Sequence, residues 1–394
     1  MKITDIETFV LRGHVDGPAY WGARTWGAPR GVSQAAKYPP AARRQVAYAP
    51  TVNTVLVRLQ CDDGNVGWGE CKAPVAPGAT ALIVDELLKP IVLASDLEEI
   101  NVIWERMYAS MSNRGHSTGY FLEAISGVDI ALWDAWARML RQPLTHLLGG
   151  RFRSTIPVYA SAIPASGPNG IDRARDEAHQ LHAAGFDAVK VAIGVDPASD
   201  VATVAAVTEI FGTHGAVLAD ASGKYDGAQA EWVGRRLADL GCGFFEMPLP
   251  TEDIDGYARL ASCLPLPLAL DTIVNRHQAL QFLRVDGLEV LQPDVSRAGG
   301  VTGTMRIAAL ADVFGAQTTP HVSIGSAVHF AASLQLALAI PNCQILEHWT
   351  GTNPLGRSIA SDLDEPHDGV RTPAVGPGLG ITVDEERVRE LATA

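Results

Sequence analysis

Residues 1–12 and 52–60 alternate apolar and polar positions, which is the period of a β-strand with one buried face. The second run continues through Asp62-Asp63-Gly64 into VGWGE at 66–70, a pattern typical of a β-hairpin. Apolar residues then recur at helical spacing over 81–93, 97–110 and 121–141. The pattern predicts an α+β domain over residues 1–125, with a long loop at 14–50 that is rich in Gly, Pro, Trp and Arg.

Beyond residue 155 the pattern changes to short apolar runs, each ending in a polar residue and followed by a helical stretch. Eight such runs occur, at 155–161, 187–193, 216–222, 243–247, 267–271, 288–294, 316–321 and 343–347. Parallel strands that are buried on both faces and alternate with helices give this pattern. It predicts an α/β fold with a (β/α)₈ TIM-type barrel over 126–349. Residues 350–394 contain GPGLGITV at 376–383, a predicted strand that returns to the first domain and completes it.

Seven ionisable residues lie near the ends of successive runs, spaced 23 to 30 residues apart: Lys190, Asp220, Glu246, Asp271, Asp294, His321 and Glu347. The carboxyl ends of barrel strands converge on one mouth, where the active sites of such barrels are built. Carboxylates gathered there would repel one another unless a cation lay among them. The spacing therefore predicts a metal-dependent active site.

Magnesium prefers hard oxygen ligands, and Asp220 and Glu246 on neighbouring strands suit it, with Asp271 as the expected third ligand. A metal chelated by a substrate carboxylate stabilises the enediolate that forms when the adjacent proton is removed. Lys190 would add positive charge near the same oxygens. Asp294 would fix the tautomer of His321 and make that histidine the general base.

Composition narrows the class of protein. The 394 residues carry a net charge of −13 and show no basic patch, which argues against a nucleic-acid partner. The N-terminus lacks the apolar core of a signal peptide, and no run is long enough for a membrane span. The five cysteines are an odd number without paired spacing, as in a reduced protein. We expect a soluble cytoplasmic protein with a small carboxylate substrate, assembled as a homo-oligomer between a dimer and an octamer.

The chain resembles the mandelate racemase/muconate lactonizing enzyme-like branch of the enolase superfamily, and especially its acid-sugar members, the sugar-acid dehydratases and galactarolactone cycloisomerase. The resemblance rests on residues 124–150, on GFDAVKVAIG at 185–194, and on LQPDVSRAGGVTG at 291–303 followed by TTPHVSIGS at 318–326. It implies a capping domain before the barrel and Mg²⁺ as the cofactor. It also assigns roles: Asp220 and Glu246 as metal ligands, Asp294 and His321 as the catalytic pair, Lys190 as the first lysine of a Lys-x-Lys motif, and Glu347 as a substrate contact.

Four positions depart from the family pattern. Ala192 replaces the second lysine, which serves the opposite face of the substrate carbon in racemases, and Met247 replaces a Glu or Gln. Ser222 stands where an Asn usually offers a polar partner, and we expect it to contact substrate. The family's fifth-strand glutamate falls on Thr272, and Asp271 precedes it. Because neighbouring strand residues face opposite ways, either residue can complete the metal site; Asp271 is preferred.

A lyase that removes water from a sugar acid or hydroxy acid is the leading functional hypothesis, since a single base suits dehydration, and it would serve carbohydrate catabolism. A cycloisomerase that opens a sugar-acid lactone is second, and an epimerase or racemase is third. A metal-poor relative that binds a ligand without turnover is the alternative from another class. The loop at 14–50 is expected to form a lid that brings Trp21 and Arg24 to the substrate; an oligomer contact or a disordered loop is the alternative.

Overall fold

The computed structural model describes residues 1–15, 24–25, 47–49, 51–164, 170–363 and 365–393. The predicted lid loop at 14–50 lies mostly outside these ranges; Trp21 is not described, and Arg24 is described by its backbone alone. Among the helices that the described ranges contain, none is both long and apolar enough to cross a membrane.

The capping domain begins with a three-stranded antiparallel sheet. Strand β1 (Ile3–Gly13) pairs with β4 (Val52–Cys61), and β4 pairs with β5 (Val66–Cys71) through the predicted hairpin. Between β1 and β4, the short strands β2 (Arg24–Thr25) and β3 (Ala47–Tyr48) pair in parallel with each other. The alternation that predicts these strands buries one face of the sheet under helices.

Four helices and a π-helical stretch pack on that face or on one another. They are α1 (Pro77–Leu82), the π-helical stretch (Ile83–Leu88), α2 (Lys89–Val92), α3 (Ile100–Ser112) and α4 (Tyr120–Met139). Helix α4 packs on β4 and β5 at backbone distance: a Cβ on Gly69 would lie 1.9 Å from the carbonyl oxygen of Gly127. Glycine in both elements permits this close approach. The predicted domain boundary at residue 125 falls inside α4, which continues without interruption and belongs to the packing of the cap.

After α5 (Leu144–Leu147), eight parallel strands form the barrel. They are β6 (Ile156–Pro164), β7 (Val189–Ala192), β8 (Val217–Asp220), β9 (Phe245–Glu246), β10 (Leu268–Leu270), β11 (Val290–Leu291), β12 (Gln317–Thr318) and β13 (Leu346–Trp349). Consecutive strands pair in order and β13 pairs with β6, while the backbone amide of Thr318 donates to the carbonyl of Asn342 (3.0 Å) at the remaining seam. Each strand overlaps one predicted apolar run, and the barrel is confirmed.

Helices separate the barrel strands and cover them from outside. They are α6 (Gly170–Ala183), α7 (Pro197–Phe211), α8 (Gly227–Asp239), α9 (Ile254–Cys263), α10 (Arg276–Leu283), α11 (Gly300–Val313) and α12 (Ala327–Ala339). Inside the barrel, a small apolar cluster takes one residue from, or next to, each of six consecutive strands: Tyr159, Ala188, Leu218, Phe244, Ala269 and Val290. This cluster fills the barrel, so the site at its mouth has a closed apolar floor.

The last segment returns to both domains. Strand β14 (Val370–Arg371) pairs antiparallel with β6, and α13 (Glu385–Thr393) packs on β1, where Arg389 and Glu7 form an ion pair (2.8 Å). The predicted strand at 376–383 is wrong: only an isolated bridge joins Gly378 to Pro143. Gly378 and Gly380 have φ of 70° and 85°, a left-handed backbone that turns the chain instead of extending it.

Candidate active site

A histidine and an aspartate meet at the ends of neighbouring barrel strands. Asp294 follows β11 and His321 follows β12, and His321 Nδ1 lies 2.9 Å from Asp294 Oδ2. A carboxylate that accepts from Nδ1–H fixes the tautomer and leaves Nε2 with its lone pair. That nitrogen faces the mouth, 3.8 Å from Asp271 Oδ2 and 3.8 Å from Glu347 Oε2. The two residues have the arrangement of a general acid–base pair.

Asp294 is held by three further donors. Its Oδ1 accepts from the amide of Ser296 (2.9 Å) and pairs with His329 Nε2 (3.0 Å), and its Oδ2 pairs with Lys72 Nζ (2.6 Å). Burial alone would raise the pKa of this carboxyl, but the charges of His329 and Lys72 and the hydrogen bonds from His321 and His329 outweigh burial and hold the pKa well below its usual range. Asp294 therefore stays ionised, as an aspartate that orients a catalytic imidazole must.

A second group of charges surrounds Lys190. Its Nζ lies 2.9 Å from Glu246 Oε2, 2.7 Å from Glu347 Oε1 and 4.0 Å from Asp220 Oδ2, and 5.6 Å above the ring of Tyr159. Burial lowers the pKa of Lys190, but the charges of Glu246 and Glu347 more than compensate and raise it well above its ordinary value. Lys190 is therefore a fixed positive charge just above the apolar floor of the barrel.

The negative charge of the carboxylates nevertheless exceeds the positive charge of Lys190 beside them. Burial first, and then repulsion from neighbouring carboxylates, raise the pKa of Glu246 well above its ordinary value even beside Lys190. The pKa of Asp220 is also raised, first by burial and further by the charge of Asp271. Asp271 Oδ1 is buried and has no hydrogen-bond partner among the described residues. A bound cation would supply both the missing charge and the missing partner.

The end of the fifth barrel strand separates the two candidates for the third metal ligand. Asp271 directly follows β10 and turns its carboxylate toward His321, as the distance above shows. Thr272 turns away, and its hydroxyl shares a hydrogen bond of 2.7 Å with the hydroxyl of Thr251. The structure brings Asp271, and not Thr272, to the carboxylate cluster.

Asp220, Glu246 and Asp271 come from three consecutive strands and offer the carboxylate oxygens that Mg²⁺ prefers. No three His, Cys, Asp or Glu side chains in the described ranges already stand at the spacing of a metal site. The carboxylates are not at metal-site spacing because the ammonium of Lys190 lies against Glu246. The three residues thus fit Mg²⁺ by donor type, by charge and by the unpartnered oxygen of Asp271.

The residues predicted to contact substrate are placed as follows. Glu347 lies in the cluster, where its Oε2 accepts from the amide of Val322 (2.8 Å). Ser222 has a left-handed backbone (φ 49°), and its amide and hydroxyl donate to Asp220 Oδ1 at 2.7 and 3.2 Å. Ser222 therefore orients a metal-ligand candidate. Trp21 and the side chain of Arg24 lie outside the described residues.

Sequence reasoning missed two residues of this site, Lys72 and His329, which both contact Asp294. Lys72 directly follows β5 in the capping domain, and His329 lies in the first turn of α12. For Lys72 the sequence does contain a signal, because it is a charged residue at the end of a buried strand, as are the ionisable residues of the barrel.

Two family models match the chain. The model described as "Enolase C-terminal domain-like" matches residues 173–387, and that of the "Mandelate racemase / muconate lactonizing enzyme, N-terminal domain" matches residues 34–149. The chain belongs to the mandelate racemase/muconate lactonizing enzyme branch of the enolase superfamily. The first model covers the residues of the barrel mouth, and the second covers Lys72.

Relatives in this superfamily act on acid sugars. The chain is 34% identical over 349 residues to D-galactarolactone cycloisomerase of Agrobacterium fabrum, covering 86% of this chain and 90% of that protein. It is 32% identical over 331 residues to arabinonate dehydratase of Saccharolobus solfataricus, covering 84% and 88%. A crystal structure of a racemase from Streptomyces coelicolor with bound magnesium matches 99% of both chains with a TM-score of 0.83 and 26% identity. These relatives indicate an enzyme.

Proposed function

We propose that this enzyme is a Mg²⁺-dependent sugar-acid dehydratase. The observation that carries the proposal is His321, whose Nδ1 is fixed by Asp294 while its Nε2 faces the carboxylate cluster. Such a nitrogen takes a proton from a carbon placed at the mouth and gives it back to a leaving group on the same face. The acid-sugar dehydratase among the relatives supports this reaction class.

In this reaction His321 Nε2 removes the proton on the carbon next to the substrate carboxylate. The carbon–oxygen bond of the neighbouring hydroxyl then breaks, and the same proton returns to that oxygen, which leaves as water. The resulting enol tautomerises to a 2-keto acid. Lys190 holds positive charge close to where the substrate carboxylate gains electrons. Magnesium held by Asp220, Glu246 and Asp271 would supply further positive charge to those oxygens.

The absence of a lysine at Ala192 favours elimination over racemisation. Ala192 lies in register with Asp220, on the strand that carries Lys190. Its methyl group cannot act as an acid or a base. A two-base racemase needs a proton carrier on each face of the carbon. Dehydration needs only one acid–base group when the α-proton and the hydroxyl leave from the same face.

A cycloisomerase is the second candidate, since a cycloisomerase of a sugar-acid lactone is 34% identical to this chain. It would use the same proton abstraction by His321, with the ring oxygen of the lactone as the leaving group. The two reactions differ in their products, because dehydration releases water from an open-chain acid and ring opening does not change the molecular mass.

The test is incubation of open-chain sugar acids and their lactones with the enzyme and Mg²⁺ in D₂O, followed by NMR and mass spectrometry. We expect loss of water and a 2-keto acid from at least one open-chain acid. His321→Asn should abolish both elimination and exchange of the α-proton, while His146→Asn, which changes an exposed histidine on α5, should change neither. Opening of a lactone without loss of water, with only deuterium taken up from the solvent, would favour the cycloisomerase. If no compound loses its α-proton and no Mg²⁺ binds at millimolar concentration, the enzymatic proposal fails.

A further inference from the structure

The ammonium group of Lys72 is buried against the catalytic pair. Its Nζ lies 2.6 Å from Asp294 Oδ2, 2.5 Å from Ser323 Oγ and 3.4 Å from His321 Nδ1, and the side chain is 7% exposed. It therefore shares one carboxylate oxygen with His321 and also holds Ser323, two residues further along the loop. An ammonium placed in this way restrains both members of the pair at once.

Burying a lysine requires compensation, and here the compensation is Asp294 itself. The carboxylate lies 2.6 Å from the ammonium, so each charge of the buried pair has a partner of opposite sign. Without Lys72, His321 would be the one group among the described residues that still holds Oδ2 of Asp294. The Ser296 amide and His329 would still hold Oδ1, but the carboxylate would be less firmly restrained relative to the ring.

Lys72 does not belong to the barrel. It follows the last residue of β5, and its backbone amide donates to the carbonyl of Ser296 (3.1 Å), in the loop after Asp294. Two residues earlier, Glu70 accepts from the amide of Ser326 (2.8 Å). The end of β5 thus binds both barrel loops that carry the catalytic pair. The contacts that dock the capping domain on the barrel are therefore also the contacts that align the pair.

We propose that Lys72 is a positioning residue, supplied by the capping domain, that aligns Asp294 and the His321 loop for proton transfer. The proposal rests on the proposed function in taking His321 as the acid–base group. It implies that the barrel alone carries both members of the pair and every metal-ligand candidate, but not the ammonium that aligns the pair.

The decisive variant is Lys72→Met, which keeps the length of the side chain and removes its charge. We expect kcat to fall about 10- to 100-fold, the range for residues that support a catalytic or metal-bound group, with KM changed less than about 2-fold. Lys89→Met is the matched control, because it makes the same change in the same domain at an ion pair with Asp5 (2.6 Å). It should leave both constants unchanged.

Two further measurements separate positioning from simple folding. Lys72→Ala should regain part of its kcat on addition of ethylamine or propylamine, whose ammonium fits the vacated space, whereas a misfolded variant would not respond. The Nδ1 proton of His321, held against Asp294, should give a far-downfield ¹H NMR signal that His321→Asn removes and Lys72→Met shifts. This signal needs neither substrate nor metal.

The outcomes are distinct. Unchanged kcat and an unshifted signal in Lys72→Met would overturn the proposal. So would a loss of thermal stability with kcat and KM altered alike and no response to amines, which is the behaviour of a purely structural lysine. If the wild-type enzyme turns over no sugar acid, the proposed function fails, and the NMR signal alone then decides whether Lys72 positions the pair.

Discussion

Glu70→Gln is the sharpest test of how the capping domain is held to the barrel. Glu70 is completely buried at the end of β5, and its carboxylate meets the first turn of α12. It accepts from Thr54 Oγ1 (2.6 Å), from the amide of Ser326 (2.8 Å), from Ser326 Oγ (2.5 Å) and from the amide of His329 (2.9 Å). All of these partners donate, and the negative charge also lies at a helix N-terminus, where it is favoured.

Glutamine has nearly the same shape but only one acceptor oxygen. If the NH₂ takes the place of Oε2, the buried amide of His329 loses its partner, at a cost of about 1–3 kcal/mol. If it takes the place of Oε1, the amide of Ser326 loses its bond of 2.8 Å and keeps only the longer one of 3.1 Å to the remaining oxygen. In either orientation the remaining bonds change from a charged to a neutral acceptor, which costs about 1 kcal/mol. The hydroxyls of Thr54 and Ser326 can rotate. The expected loss is about 1–3 kcal/mol, out of the roughly 5–15 kcal/mol typical of a folded protein.

Urea denaturation followed by fluorescence and by circular dichroism would measure the change, with both probes needed to show whether cap and barrel unfold together. The matched control is Glu7→Gln, which makes the same change at a half-exposed ion pair with Arg389 and should leave the midpoint almost unchanged. A loss below about 0.5 kcal/mol in Glu70→Gln, within the range of ordinary surface substitutions, would refute the reasoning.

Two other changes test the metal site and the buried charges. Asp271→Asn should weaken Mg²⁺ binding at least about tenfold by calorimetry, a loss of 1.4 kcal/mol or more, because it removes a charged donor; Thr272→Val should not, and the reverse result would identify Thr272 as the ligand. Burial raises the pKa of Asp129 to about 7, against an ordinary value of 3.8. Unfolding therefore releases a proton between about pH 4 and 7. The wild-type protein loses stability as pH rises through that window. Asp129→Asn does not titrate, and its stability relative to wild type should rise by up to about 4 kcal/mol between pH 4 and 7 and stay level above, as measured by urea midpoints.

The barrel was predictable because its signal repeats. Each unit places an apolar run, a polar residue and a helix in the same order, so the ends of the strands and their ionisable residues could be aligned from the sequence alone. Asp271 turns toward the other barrel carboxylates for a reason that the sequence does not contain, and its role as a metal ligand stays a prediction. The alternation of side chains applies within a strand, and Asp271 lies just after the end of β10, where the backbone is no longer bound to that alternation.

Lys72 and Glu70 show what pattern reasoning could not reach. Their partners Asp294 and Ser326 lie 222 and 256 residues away in the chain, and no periodicity links positions so distant. A buried charge reveals its role only when its partner is known. The glycines of 376–383 mislead in the opposite way, because apolar residues among them suggest a strand, while left-handed backbone at Gly378 and Gly380 excludes one.

The contact between β1 and α13 also constrains how the protein can assemble. Glu7 and Arg389 are 382 residues apart, so the strand synthesised first among the described elements receives its covering helix last. A contact of such long range forms slowly, and it cannot form before the residues of the barrel between its two ends have been synthesised. A nascent chain with a folded barrel would therefore still carry an unfinished cap. Chaperone binding or proteolysis would act on this enzyme chiefly at that stage, on the exposed sheet of the cap.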